Sequence, residues 1–274
     1  MPPGRTLEYP KTAINKVNRY NVRANYDLEA IHRIINSSTV LNVSFNTPDP
    51  SNPFPVTLPM VGVAASWEHP SAGLGEPLDI YIHGYVSSRL MNTSRGSANG
   101  GDSTAPEHAG LPVTVSATKV DGLILTLSPY THDMNYRSAA LYGYATVVTD
   151  ADEKLWAMEQ ITNSVLRDRW RHTRIPPDGA EMQSTSILKV KVVGGSGKIR
   201  VGGPHDELKD FNRDDLRDSI WEGVVPVYEH FGEPVPGKMN RVKDVPQHVV
   251  DFATEERETN AKYALDVIND TSQD

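Results

Sequence analysis

The sequence predicts a mainly β protein with flanking helices, folded as a small antiparallel barrel. Three observations carry that expectation. Leu78, Ile80 and Ile82 alternate with Asp79, Tyr81 and His83, the period-two signature of a half-buried strand. Other strand-like runs stand at 39–45, 56–63, 113–120, 123–128, 137–148 and 187–193. Finally, Asp121-Gly122 separates two of those runs and reads as a hairpin, because type I′ turns need positive φ at both central residues. Strands joined in this way do not make alternating βαβ units.

Taken in order, residues 1–25 form an extended arm with Pro2, Pro3 and Pro10 and little periodicity. Asp27 is placed to cap a helix whose apolar positions Leu28, Ile31, Ile34 and Ile35 share one face. Pro59 interrupts the run from Val56 to Val63, which suits a sheet edge or a bulge. After the Leu78 strand, Gly84 ends the alternation and Ser87 or Ser88 can cap a helix starting near Arg89. Residues 94–110, rich in Gly, Ser and Ala, show no period and read as a flexible excursion, either a lid or a surface insertion.

Further on, Thr149 or Asp150 caps what reads as the longest helix, with Leu155, Met158, Ile161, Thr162 and Val165 inside and Trp156 at the margin. Pro176-Pro177 ends that region, and a short helix covers 178–184. The pattern divides the chain into the arm, a body over 26–230, and a linker with a C-terminal helix and tail over 231–274. The polar helix spans 246–268.

Composition limits the function classes. The chain has 274 residues, a formal net charge of −8 and no cysteine. That excludes disulfides, thiolate metal sites and cysteine nucleophiles, and it disfavours nucleic acid and anionic membranes as partners. No apolar run reaches the ~20 residues needed to cross a bilayer, and the N-terminus has no hydrophobic signal region, so a cytoplasmic protein is expected. The nine histidines form no HExxH arrangement, so no metal site is expected. No Gly-x-Ser-x-Gly elbow supports a hydrolase. Gly194-Gly195-Ser196-Gly197-Lys198 fails the P-loop pattern, since Val192 holds the first glycine position and Ile199 the serine or threonine. It fails the dinucleotide fingerprint at Arg200 and reads as a loop before Lys198.

Chemistry concentrates after the Leu78 strand. A strand that ends at Gly84 and opens onto a helix presents free N–H groups and the positive end of the helix dipole. Ser87 and Ser88 add hydroxyl donors, and Arg89 adds a planar fork suited to a phosphate. The same residues also fit a capped helix with a surface arginine. His83 and His132 each follow a strand, where an imidazole either bonds to backbone or serves a ligand near neutral pH.

Three stretches together resemble the pyridoxamine 5′-phosphate oxidase-like flavoproteins, in the branch of flavin-nucleotide-binding proteins that includes the nitroimidazole reductases. They are Ile82-His83-Gly84 with Ser87-Ser88-Arg89; Val120-Asp121-Gly122-Leu123 with His132-Asp133-Met134-Asn135-Tyr136-Arg137-Ser138 and Gly143; and Ser196-Gly197-Lys198-Ile199-Arg200 with Trp221-Glu222-Gly223-Val224-Val225-Pro226. With Tyr9-Pro10-Lys11-Thr12, the likeness covers residues 9–228.

The resemblance implies a split β-barrel that works as a homodimer with FMN in a groove at the interface, and an arm that lies on the partner. It implies that Ser88 and Arg89, with Ser87, hold the phosphate, and that His83 and Gly84 lead into that cup. The strand Val56, Thr57, Leu58, Pro59 and Met60 would border the isoalloxazine ring. Arg137-Ser138 matches an arginine-glutamine pair of the family, Lys119 is a further phosphate candidate, and Trp221 would cover the ring or lie in the core. The implied chemistry is two-electron transfer at flavin N5, with a reduced nicotinamide as a possible donor and a small organic molecule or oxygen as acceptor. The region after Trp221 lacks the arginine cluster that grips pyridoxamine phosphate, which argues against vitamin B6 oxidation. Two other readings stay open: a flavin-binding protein without turnover, and a haem-binding or haem-degrading barrel with His83 or His132 as axial ligand.

Overall fold

The computed structural model describes residues 6–49, 51–100 and 109–273. In chain order the elements are β1 (Ala24–Asn25), α1 (Leu28–Asn36), β2 (Leu41–Phe45), β3 (Val56–Met60), β4 (Gly62–Ala65), β5 (Asp79–Tyr85), α2 (Arg89–Gly100), β6 (Leu111–Leu125), β7 (Asp133–Val147), α3 (Ala151–Val165), α4 (Gly179–Ser184), β8 (Thr185–Arg200), α5 (Leu208–Phe211), α6 (Asp214–Arg217), β9 (Gly223–Pro226) and α7 (Gln247–Asp266). The strands form one predominantly antiparallel sheet in the order β3-β2-β6-β7-β8-β5-β4, with β1 added to β8 and β9 to β6. Among the described residues no helix is long and apolar enough to cross a membrane.

Contacts divide the chain into two compact units, between which β6, β7 and β8 are shared lengthwise. The first holds the described residues up to Arg19, Ala24–Ala117 and Ser138–Gly197; the second holds Tyr20–Arg23, Thr118–Arg137 and the described residues from Lys198 onward.

In the first unit the arm lies on its own chain. Tyr9 N–H donates to Tyr26 O and Leu28 N–H to Leu7 O, each at 2.9 Å. The Asn15 amide donates to Gly195 O at 2.9 Å. Asp27 caps α1 by accepting from Ala30 N–H at 2.8 Å, and Leu28, Ile31, Ile34 and Ile35 turn inward as their spacing requires. His32 is buried with them. Its Nδ1 lies 2.7 Å from Leu74 O and its Nε2 2.7 Å from the Tyr9 hydroxyl. Burial pulls its pKa below the ordinary value of 6.5, against the backbone bond to Leu74.

β3 and β4 are the two ends of the sheet order, yet only Val61 separates them in sequence. The sheet of this unit therefore curls until its edges meet without pairing. Pro59 sits opposite Asn42 on the edge strand β3, where a missing N–H breaks no inner ladder.

Four sequence-based expectations need correction. β6 runs through Asp121-Gly122 without turning, because the Asp121 carboxylate is buried against Arg137 and neither residue has positive φ. Gly122 is required there by packing: a Cβ would stand 2.8 Å from Val224 Cγ1. The reversal falls instead at 126–132. Gly194–Lys198 is not a loop but the second half of β8, and a Cβ at Gly195 would meet Leu141 at 2.6 Å and the Tyr9 ring at 3.0 Å. Residues 94–100 belong to α2, so the excursion is shorter than expected; residues 101–108 lie outside the described residues.

The longest helix is α7, not α3. Asp150 caps α3, accepting from Glu153 N–H at 2.8 Å. Its inner face is Ala157 and Ile161, Val165 is exposed, and Trp156 stays partly exposed at the margin while it packs against Trp67 and Tyr81.

The second unit has a more polar interior. Arg200 donates to Asn135 Oδ1 at 2.5 Å and to Gly203 O at 3.0 Å, and its Nε lies 3.2 Å from Asp133. Burial lowers its pKa, with Asp133 opposing the shift. α7 packs beside β9, with Asn260 donating to Glu229 O at 3.2 Å.

Candidate functional site

The sequence-predicted residues fall into two places. In the first unit, β5 delivers His83 and Gly84 to the start of α2. Ser88 N–H donates to Tyr85 O at 2.9 Å, and Asn92 N–H donates to Ser88 O at 3.0 Å, so the helix begins where the spacing placed it. Arg95 Nη1 bonds Val86 O at 2.8 Å and its Nη2 bonds Ser186 Oγ at 3.1 Å, which fixes the intervening loop. A Cβ on Gly84 would meet Met91 Cε at 2.8 Å, Met60 Cε at 3.5 Å and Ser88 Oγ at 3.7 Å. The end of β3, the end of β5 and the first turn of α2 thus converge on one glycine.

This place suits an anion. Ser87 and Arg89 are exposed and Ser88 is half-buried. The first N–H groups of a 12-residue helix have no intrahelical acceptor. Arg89 forms no ion pair among the described residues, and Asp49 is the carboxylate that feels its charge. The His83 residue is exposed. Beside it β3 presents Val56, Leu58 and Met60 half-buried on one face and Thr57 and Pro59 exposed on the other. Ser138, half-buried on β7, belongs to the same unit.

The second unit holds Lys119, Arg137, His132 and Trp221. Arg137 grips the buried Asp121 at 3.1–3.3 Å, and its guanidinium lies 3.6 Å from the centroid of the Tyr263 ring. Burial pushes the Asp121 carboxyl upward while Arg137 and Lys119 oppose the shift. Lys119 pairs with Glu229 at 2.8 Å. These two pairs line a cavity of about 220 Å³ together with Thr118, Tyr228 and Asn260. Both cations are therefore matched by a carboxylate.

Trp221 is 65% exposed, which removes the core reading for that residue. Its indole lies over Gly223, where a Cβ would be 2.6 Å away. His132 is exposed too, with Nδ1 at 2.9 Å from Ser128 O and 3.0 Å from Thr126 Oγ1. Glu229, Asn260 and Tyr263 were not foreseen; they meet β6 and β7 through long-range packing that leaves no local sequence signal.

A predominantly antiparallel sheet, unclosed at β3 and β4 and flanked by helices, defines a split-barrel protein. The family model described as pyridoxamine 5′-phosphate oxidase matches residues 27–199, more than half of the chain, and the chain belongs to that family.

Two solved structures share the fold over most of its length. The flavocytochrome Anf3 from Azotobacter vinelandii is 22% identical, with 88% of this chain and 97% of that one covered at a TM-score of 0.67. The FAD and haem binding protein from Mycobacterium smegmatis is 21% identical, with 84% and 97% covered at 0.65. A putative 5-nitroimidazole antibiotic resistance protein from Bacteroides thetaiotaomicron is 15% identical, with 64% and 86% covered at 0.46. Among curated proteins none matches.

Proposed function

We propose that this chain binds a flavin nucleotide, FMN in the first instance, and works as an oxidoreductase on a small organic substrate. The convergence of β3, β5 and the α2 N-terminus on Gly84 carries this reading. Ser87, Ser88 and Arg89 would hold the phosphate through hydroxyls, helix N–H groups and a guanidinium fork. The outer backbone edge of Val56–Met60, whose inner side pairs with β2, would border the ring. When bound, the flavin supplies two-electron transfer at N5. The protein's part is to grip the phosphate, orient the ring and limit water. His83 is placed to donate or accept a proton beside the cup. A homodimer completes the reading, because an edge strand and an exposed cup leave one side of a planar ring open.

The test is a flavin-fluorescence titration of FMN and riboflavin against wild type and Arg89→Ala. Loss of one charge-assisted bond weakens FMN by about tenfold to hundredfold, while riboflavin, lacking phosphate, binds both proteins alike. Arg89→Lys falls between, since it keeps charge and loses the fork. Equal FMN affinity in the two proteins would reject the cup. Reduction of the bound flavin by a nicotinamide separates an oxidoreductase from a binding protein without turnover.

A haem reading has its own support. Two structures that cover most of this chain are a flavocytochrome and an FAD and haem binding protein. At 88% and 84% of this chain, both matches must run well past residue 199, where the family model stops. His132, with Nδ1 directed at Ser128 O, has Nε2 available to a metal, and His83 is the second candidate. A Soret band on haem addition that His132→Ala or His83→Ala removes would support this reading, and its absence would reject it.

A further inference from the structure

Three aromatic rings of the first unit form a line that the proposed flavin site does not use. Tyr81 of β5 is fully buried. Its ring meets Trp156 of α3 edge-on with centroids 5.2 Å apart, and Trp156 meets Trp67 at 5.5 Å. Trp67 and Trp156 are both partly exposed, so the line runs from the interior toward solvent. At its inner end the Tyr81 hydroxyl donates to Glu153 Oε1 at 2.7 Å. The same oxygen lies 3.2 Å from Lys189 Nζ, which also meets Glu68 at 2.6 Å and Asp79 at 3.6 Å.

A phenylalanine at 81 would fill the core without requiring a carboxylate at its tip. Burial pushes the Tyr81 phenol far above its ordinary value, and Glu153 adds to the shift, so the hydroxyl carries its proton at physiological pH. A buried, protonated phenol aimed at a carboxylate and touching an indole can give up an electron and a proton in different directions.

We propose that Trp67, Trp156 and Tyr81 form a one-electron relay, with Glu153 as the proton acceptor of Tyr81. An outer-sphere one-electron oxidant takes an electron from the Trp67 indole. Trp156 refills Trp67, and Tyr81 refills Trp156. The Tyr81 O–H bond breaks as its proton passes to Glu153 Oε1, where a carboxylic O–H bond forms. The products are a neutral tyrosyl radical, a neutral Glu153, two restored tryptophans and an oxidant reduced by one electron. Lys189 keeps Glu68 and Asp79 as counterions, so its charge stays compensated. The relay gives the first unit a place to hold an oxidising equivalent away from solvent, whether or not a cofactor is bound.

The test uses the full chain with tris(bipyridine)ruthenium(III), generated by a laser flash with a sacrificial electron acceptor. Transient absorption and freeze-quench electron paramagnetic resonance read the radicals. Wild type is expected to form a tyrosyl radical that Tyr81→Phe removes, leaving a longer-lived tryptophan radical. Trp156→Phe keeps Tyr81 but loses that tyrosyl component, because the contact with the line is broken. Glu153→Gln keeps a hydrogen-bond acceptor but cannot take the proton, and it also leaves the radical on tryptophan. Trp67→Phe, at the partly exposed outer ring of the line, provides a second break should Trp156→Phe lose its fold by circular dichroism. The same tyrosyl yield in wild type and Tyr81→Phe would overturn the relay, as would a Tyr81 radical that survives both tryptophan substitutions.

Discussion

At the scale of single residues, buried charge decides most. Asp121 and Arg137 are each nearly enclosed, at 5% and 12% side-chain exposure, and each is the other's counterion. Removing one partner from such a pair costs about 3–5 kcal/mol, since the survivor is left buried and uncompensated. Asp121→Ala is therefore expected to lower the urea midpoint sharply, whereas Asp121→Leu with Arg137→Met recovers most of the loss. A double variant no better than the single would show that the pair contributes beyond mutual compensation.

His32 sets a pH dependence at the same scale. Its folded pKa lies below the ordinary 6.5, so the unfolded chain binds the extra proton first. Stability from this group is complete above pH 6.5 and falls as pH drops below that value toward the folded pKa. Urea melts across this window should show the fall in wild type. His32→Gln, which cannot titrate, should show a shallower slope, and equal slopes would assign the fall to other groups.

At the scale of elements, close approach between strands explains glycines that look unremarkable in sequence. A Cβ on Gly143 of β7 would stand 2.3 Å from the Lys191 carbonyl oxygen of β8. A backbone atom cannot swing away, so Gly143→Ala is expected to cost at least about 1–3 kcal/mol by overpacking. Gly96 in the middle of α2 has open space around it. Gly96→Ala should stabilise by about 0.5–1 kcal/mol, the difference in helix propensity. Thermal melts of the two variants should move in opposite directions, and a parallel shift would contradict the strand packing described.

At the scale of the molecule, the proposed function implies more than one chain. Among the described residues β3 stands at the end of the sheet order, with no strand on its outer side, beside the cup. The flavin-loaded protein is expected to sediment as a homodimer, and a monomer that retains FMN would show that one chain suffices to cover the ring. Large apolar side chains such as Phe54, Tyr130 and Met239 are 73%, 83% and 85% exposed, so surface is available for association.

What the sequence determined by itself lies mainly in local signals. Asp27 and Asp150 cap helices because a carboxylate can reach an N–H three residues on, whatever surrounds it. The apolar run Leu78, Ile80 and Ile82 marks β5, although Tyr81 on the opposite face is buried as well, and the α2 start needs only Ser88 shortly after the strand, which passes Gly84 and ends at Tyr85. The motifs around Gly84 and Arg137 sufficed to identify the family.

Tertiary structure decided the rest. Asp121-Gly122 has the chemistry of a turn, but Arg137 sixteen residues away holds the carboxylate inside β6, and burying that pair outweighs turn propensity. Gly194–Gly197 looks like a loop until Tyr9 and Leu141 lie where a side chain at Gly195 would have gone. Lys119 reads as a phosphate candidate and Arg137 as part of a family motif, and in the fold Glu229 and Asp121 are their ion-pair partners. In each case the deciding partner is distant in the chain, and only the folded backbone brings its charge or volume within reach.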